Sequence, residues 1–180
     1  MVEPYEQELR PELNHQNARY AAMVESLDTN VGRLLAKLDE LGVADRTVVI
    51  FTSDNGGFVN KNRGQTVTNN TPLRSGKGSL YEGGVRVPLM VRWPHVTPKG
   101  QTCRTPVSTI DFYPTILEMA GLSGDGEHNV SVDGKSLVPV LKNPEAKLGR
   151  ETLYWHYPHY YPTTTPVSSI RQGDWKLLHY

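Results

Sequence analysis

A chain of 180 residues with 37% hydrophobic and 21% charged content can bury a core as one domain, or as one domain with a small appendage. Its 19 Lys and Arg balance 19 Asp and Glu for a formal net charge of zero, which argues against a nucleic-acid partner but leaves room for a local charged pocket. One cysteine, Cys103, excludes an internal disulfide framework and a cysteine-based zinc site, and no apolar run is long enough to cross a membrane.

Residues 1–16 are polar, contain Pro4 and Pro11, and read as an irregular lead-in. They lack the basic and apolar regions of a signal peptide. From Asn17 the pattern changes. Tyr20, Val24, Leu27, Val31, Leu34, Leu35, Leu38 and Leu41 recur at steps of three and four, which predicts an amphipathic helix with one buried stripe. Gly42 follows as a C′ glycine. After a turn at Asp45-Arg46, residues 47–52 (TVVIFT) form a short β-branched and aromatic run. Such a run fits a strand buried on both faces, as in a sheet covered by helices.

That strand stops at Ser53-Asp54-Asn55-Gly56-Gly57. Residues 58–71 are polar without an apolar period and predict a long loop, of the kind compact domains keep for function. A glycine-punctuated segment, residues 72–84, leads to a second expected buried strand at 85–93, with Pro88 limiting its pairing. Ser108 or Asp111 can cap a helix that runs through Ala120 and ends at Gly121, with Pro114 in its first turn. Turns and one short helix around Leu137 fill 122–150. Leu153-Tyr154-Trp155 reads as strand, residues 156–166 as an aromatic, Pro- and Thr-rich loop, and Val167–Arg171 with Trp175–Tyr180 as the arms of a hairpin around Gln172-Gly173-Asp174. Because the chain ends inside that second arm, truncation is an expectation at this point.

Three places carry candidate chemistry. Asp54 and Asn55 fall at the carboxyl end of the predicted strand, where α/β sheets bind ligands. Their carboxylate and amide oxygens are hard donors suited to Ca²⁺ or Mg²⁺, although Asp-Asn-Gly is also an ordinary turn. Lys77 stands between Gly76 and Gly78, so its compact ammonium can approach phosphate or sulfate with little obstruction. It can equally be a solvated loop lysine, and the P-loop spacing is absent. His156 and His159 lie in an aromatic stretch (WHYPHYY) that can line a sugar or aryl pocket or pack as a surface loop. His15 reads as a surface histidine.

The order of these motifs resembles the type I, formylglycine-dependent sulfatases. The helix from Tyr20 to Leu35, the segment from Thr47 to Gly57, PLRSGKGSLYEGGVRVP at 72–88, IDFYPT at 110–115 before Ala120-Gly121, and IRQGDWKLL at 170–178 all take part, over residues 17–180. The resemblance implies an alkaline-phosphatase-like α/β fold, a sheet flanked by helices, present in part over 1–150. The start of a small antiparallel C-terminal subdomain is implied over 151–180. It implies a Ca²⁺ site to which Asp54 and Asn55 contribute and a sulfate contact by Lys77; His156, from the aromatic stretch, is expected to take part in substrate binding. The implied substrate is a sulfated small molecule or carbohydrate, and the implied setting is periplasmic, secreted or lysosomal.

The family's nucleophile is a formylglycine made within Cys/Ser-x-Pro-x-Arg, and this sequence has no such motif: Cys103 is followed by Arg104-Thr105-Pro106-Val107. The formylglycine is therefore expected upstream of residue 1, and this chain alone is expected to be inactive. Two rival readings remain, a phosphodiesterase or phosphonate hydrolase of the same superfamily, and a non-catalytic module that kept the fold. A cut α/β domain exposes edges and apolar faces, so self-association is also expected.

Overall fold

The computed structural model describes residues 2–8 and 12–180. Helix α1 (Glu3–Glu8) replaces part of the irregular lead-in expected at the N-terminus; residues 1 and 9–11 of that segment lie outside the described residues. Helix α2 spans Ala18–Glu40. Asn17 caps it, its Oδ1 accepting from the Tyr20 N–H at 3.0 Å, and Gly42, at φ +64°, takes the left-handed position that ends it.

The predicted period of α2 is correct, but its stripe is not buried. Ala18 and Ala22 are the buried residues of this helix, while Val24, Leu27 and Leu34 are 49%, 54% and 60% exposed. Among the described elements α2 meets chiefly α1 and a 3₁₀ turn at Ala44–Arg46, too little surface to cover a helix of about six turns.

Strand β1 is Val49–Thr52. It is half-buried along its length and not buried on both faces, because among the described residues its sheet holds two strands, β1 and β4 (Leu89–Arg92). Residues 58–71 are not a plain loop: β2 (Lys61–Asn62) and β3 (Gln65–Thr66) pair as a hairpin. Its turn residues Arg63 and Gly64 both have positive φ (49° and 81°), the conformation that two-residue hairpins require. The second predicted strand is shorter than expected. Its first residue, Val85, closes the helical turn α3 (Glu82–Val85).

The chain divides into two compact units, one combining residues up to Met90 with Thr152–Tyr180, the other formed by Val91–Glu151. In the second unit a 3₁₀ turn at Thr109–Asp111 runs into α4 (Phe112–Met119), and Gly121 follows at φ +69°. Short helices α5 (Gly126–Asn129) and α6 (Val138–Lys142) complete it. Asp111 is fully buried. Its Oδ1 accepts from Lys135 N–H at 2.9 Å and Arg150 Nη1 at 2.6 Å, its Oδ2 from Ser108 N–H at 2.8 Å and Arg150 Nη2 at 2.7 Å. Burial pushes the carboxyl pKa up, but the Arg150 guanidinium and the two backbone donors outweigh it and hold it below the usual value.

In the first unit β5 (Thr152–Tyr157), β6 (Val167–Gln172) and β7 (Trp175–His179) form an antiparallel sheet in that order. The β6–β7 hairpin is the predicted one, closed by Gly173-Asp174 with Gln172 opposite Trp175. Strand β5 runs two residues further than expected and takes in His156 and Tyr157. Among the described residues no helix is long and apolar enough to cross a membrane.

Candidate active site

The Asp54-Asn55-Gly56-Gly57 turn leaves the end of β1 and runs into a backbone-to-backbone contact with α3. Gly56 N–H donates to Gly84 O at 2.9 Å. A Cβ on Gly56 would sit 1.6 Å from Gly83 O, so only glycine permits this approach. Ser53 Oγ donates to Asn55 O at 2.8 Å and rounds off the turn. Asp54 is exposed and Asn55 half-buried.

The Gly76-Lys77-Gly78 segment lies directly against this turn. Lys77 N–H donates to Gly57 O at 3.0 Å. On the other side Lys77 O accepts from Thr163 Oγ1 at 2.8 Å. The main chain of Lys77 is thus fixed at both its polar groups, while its side chain is exposed. Gly78 has φ +82°, and a Cβ there would lie 2.0 Å from the Tyr161 ring. The structure therefore brings three of the predicted residues, Asp54, Asn55 and Lys77, into one neighbourhood. Among the described residues none of their three side chains makes a hydrogen bond or ion pair.

His156 is not brought to them. Alternate residues of a strand face opposite ways. Leu153, Arg171 and Lys176 occupy one row across the sheet, and Arg171 and Lys176 both reach the Glu82 carboxylate of α3 at 3.0 Å. His156 is on the other face, in a row with Ser168 and His179, its Nδ1 2.8 Å from Ser168 Oγ. Residues from the loop beyond β5, Tyr161 and Thr163, meet the lysine segment instead. His15, read as a surface histidine, is exposed and its Nδ1 lies 3.0 Å from Thr68 Oγ1.

Several residues that tie these segments together carry no signal in the sequence. Asn70 bonds to both motif loops. Glu82 holds two cations of the C-terminal sheet, and Lys176 Nζ also sits 4.8 Å from the Trp155 ring centroid. The Arg74 guanidinium lies 3.9 Å over the Tyr81 ring, and a side-chain hydrogen bond with Tyr81, followed by burial, raises the Tyr180 phenol above its ordinary pKa. None of these residues has a local pattern that distinguishes it from a polar loop residue.

Chemically, the neighbourhood offers one cation and two hard oxygen donors. Among the described residues no group of three or more His, Cys, Asp or Glu is placed to hold a metal ion. Asp54 and Asn55 have the right oxygen chemistry for calcium but supply two ligands where Ca²⁺ takes six to eight.

The family model described as Sulfatase matches residues 3–122, and one described as N-sulphoglucosamine sulphohydrolase, C-terminal, matches residues 76–180. A sulfatase of Formosa agariphila is 41% identical over 176 residues, covering 92% of this chain and 30% of that protein. Among solved structures, Ps i-CgsB in complex with k-i-k-neocarrahexaose superposes with TM-score 0.78 at 32% identity, over 94% of this chain and 36% of that one. A second, solved with its substrate D-glucosamine-2-N,6-O-disulfate, gives TM-score 0.72 at 32% identity, over 90% of this chain and 31% of that one. The chain spans about a third of the length of each of these relatives.

Proposed function

Because the chain belongs to the sulfatase family and corresponds to a C-terminal portion of its alkaline-phosphatase-like fold, we propose that it supplies part of the active site of a sulfuric ester hydrolase. The observation that carries this reading is the Lys77–Gly57 backbone bond at 3.0 Å. It brings the main chain of Lys77 against the turn that carries Asp54 and Asn55, and among the described residues none of these three side chains has a hydrogen-bond or ion-pair partner.

In this reading Lys77 binds the sulfate. Its ammonium donates to sulfate oxygens, which carry negative charge throughout the reaction, so it lowers the cost of bringing an oxygen nucleophile toward sulfur. Asp54 and Asn55 hold calcium together with residues outside this chain, and the bound ion would supply further neutralisation of sulfate charge. The nucleophile belongs to a formylglycine on a Cys/Ser-x-Pro-x-Arg segment that this sequence lacks. A sulfated carbohydrate is the proposed substrate class. Its support is the pair of solved relatives, one holding a k-i-k-neocarrahexaose and one a disulfated glucosamine, together with the aromatic residues Tyr160 and Tyr161 in the loop that reaches the lysine segment. His156 enters no step.

The test is recombination. The chain alone is expected to give no turnover of a sulfate ester, and turnover is expected once a segment bearing Cys/Ser-x-Pro-x-Arg is supplied. In that assembly Lys77→Ala should lower kcat/KM at least tenfold, since an anion-stabilising donor in a dry site contributes about 2–4 kcal/mol. Lys77→Arg should not restore it, because a planar guanidinium needs different room. Turnover by the chain alone, or an unchanged kcat/KM in Lys77→Ala, would defeat the reading.

A further inference from the structure

We propose that Asn70 is a positioning residue that locks the Lys77 segment to the Asp54-Asn55 turn. The proposal rests on the reading of these two segments as parts of one sulfate site. Asn70 Nδ2 donates to Gly57 O at 3.1 Å and to Ser75 O at 2.9 Å. Its Oδ1 accepts from Gly57 N–H at 3.1 Å. Both amide protons and the acceptor oxygen are engaged, all on main-chain groups. Gly57 is the second residue after Asn55, and Ser75 is the second before Lys77.

The consequence is a closed circuit. Gly57 is gripped on its N–H and its C=O by a single side chain, and that same carbonyl accepts the Lys77 N–H at 3.0 Å, so its two lone pairs are shared between Asn70 and Lys77. The circuit also accounts for two glycines. A Cβ on Gly57 would lie 2.7 Å from Asn70 Oδ1, and one on Gly76 would lie 2.7 Å from Asn70 Nδ2 and 2.3 Å from Gly57 O. Ser75 is a non-glycine residue at φ +65°, a costly backbone state, and the Asn70 bond to its carbonyl helps hold it there. No other side chain fits: Asp lacks the two donors, Ser and Thr have one donor, and Gln is a methylene too long for three bonds made at this reach.

Amide hydrogen exchange on the 180-residue chain tests the lock without any turnover. In the unmodified chain both Asn70 Nδ2 protons should exchange at least tenfold slower than those of Asn62, which is exposed and whose side chain makes no hydrogen bond among the described residues, and equal rates would overturn the proposal. In Asn70→Asp, which keeps the size and the acceptor but loses both donors, protection of the Lys77 and Gly57 amides should fall at least tenfold while the β5–β7 amides stay within about twofold. Unchanged Lys77 protection, or an equal loss in β5–β7, overturns it.

In the recombined enzyme a double-variant cycle asks whether Asn70 acts through Lys77. Asn70→Asp should lower kcat/KM at least fivefold alone and have little further effect in a Lys77→Ala background; equal cost in both backgrounds would refute action through Lys77. If Lys77→Ala itself proves neutral, the sulfate reading fails, and the exchange result still decides whether Asn70 forms the lock.

Discussion

Removing the charge of Asp111 should open the unit formed by Val91–Glu151. The carboxylate is fully buried and receives four donors, two on each oxygen. Asp111→Asn keeps the shape but turns one oxygen into an NH₂, so two of the four donors then face another donor, and Arg150, whose side chain is 12% exposed, loses its counter-ion. Breaking a buried pair in this way costs about 3–5 kcal/mol. A relay makes the effect readable at a distance: Thr115 Oγ1 donates to Asp111 O at 2.6 Å and accepts from Leu137 N–H at 2.8 Å.

Hydrogen exchange at the Leu137 amide is therefore the assay. A loss of about 3 kcal/mol corresponds to roughly a hundredfold drop in protection. The pH dependence has a defined sign. A carboxyl whose folded pKa is lowered stabilises the fold above its unfolded value of about 3.9, and the stabilisation disappears as pH falls through the lower folded value. Protection at Leu137 should decline over that acid range in the native chain, and that part of the decline should be missing from Asp111→Asn. A change of less than about fivefold at neutral pH in Asp111→Asn would refute the argument.

Calorimetry should find weak Ca²⁺ binding at most in this chain, because Asp54 and Asn55 are two donors of the six to eight needed; tight stoichiometric binding lost in Asp54→Ala would contradict this. The exposed stripe on α2 should make the chain self-associate, and Leu27→Glu with Leu34→Glu should reduce association in light scattering, whereas a stable monomer in the unmodified chain would count against it. Gly78→Leu should be poorly tolerated, since its Cβ would enter the Tyr161 ring and its φ is left-handed; the lysine segment should then lose protection, and unchanged protection would show that Tyr161 yields freely.

What was legible in the sequence was local. The period of α2, the Gly42 stop, the helix ending at Gly121 and the β6–β7 hairpin all follow from short-range chemistry, and each is present. The β2–β3 hairpin was missed because its strands, Lys61–Asn62 and Gln65–Thr66, are polar and its turn puts an arginine at positive φ. Burial was overestimated for α2 and β1. Periodicity identifies which residues share a face, but it cannot say that another element covers that face. The nearness of Asp54, Asn55 and Lys77 was implied by family likeness and not by spacing. The residues that hold them act largely through distant contacts, Asn70 on Gly57 across 13 residues and Thr163 on Lys77 across 86, beyond the reach of local pattern.

The bond from Thr163 to the Lys77 carbonyl has a further implication for biosynthesis. Its partners are 86 residues apart, and the Glu82 pairs with Arg171 and Lys176 span 89 and 94. At ordinary translation rates the ribosome adds that length in roughly 4–17 s. Until then the nascent lysine segment has its inner bonds to Gly57 and Asn70 but no outer support, and Glu82 waits without its cations. The segment would then be completed only when residues 163–176 leave the exit tunnel, so a stop codon anywhere before Thr163 should yield a chain whose Lys77 segment is never fully seated.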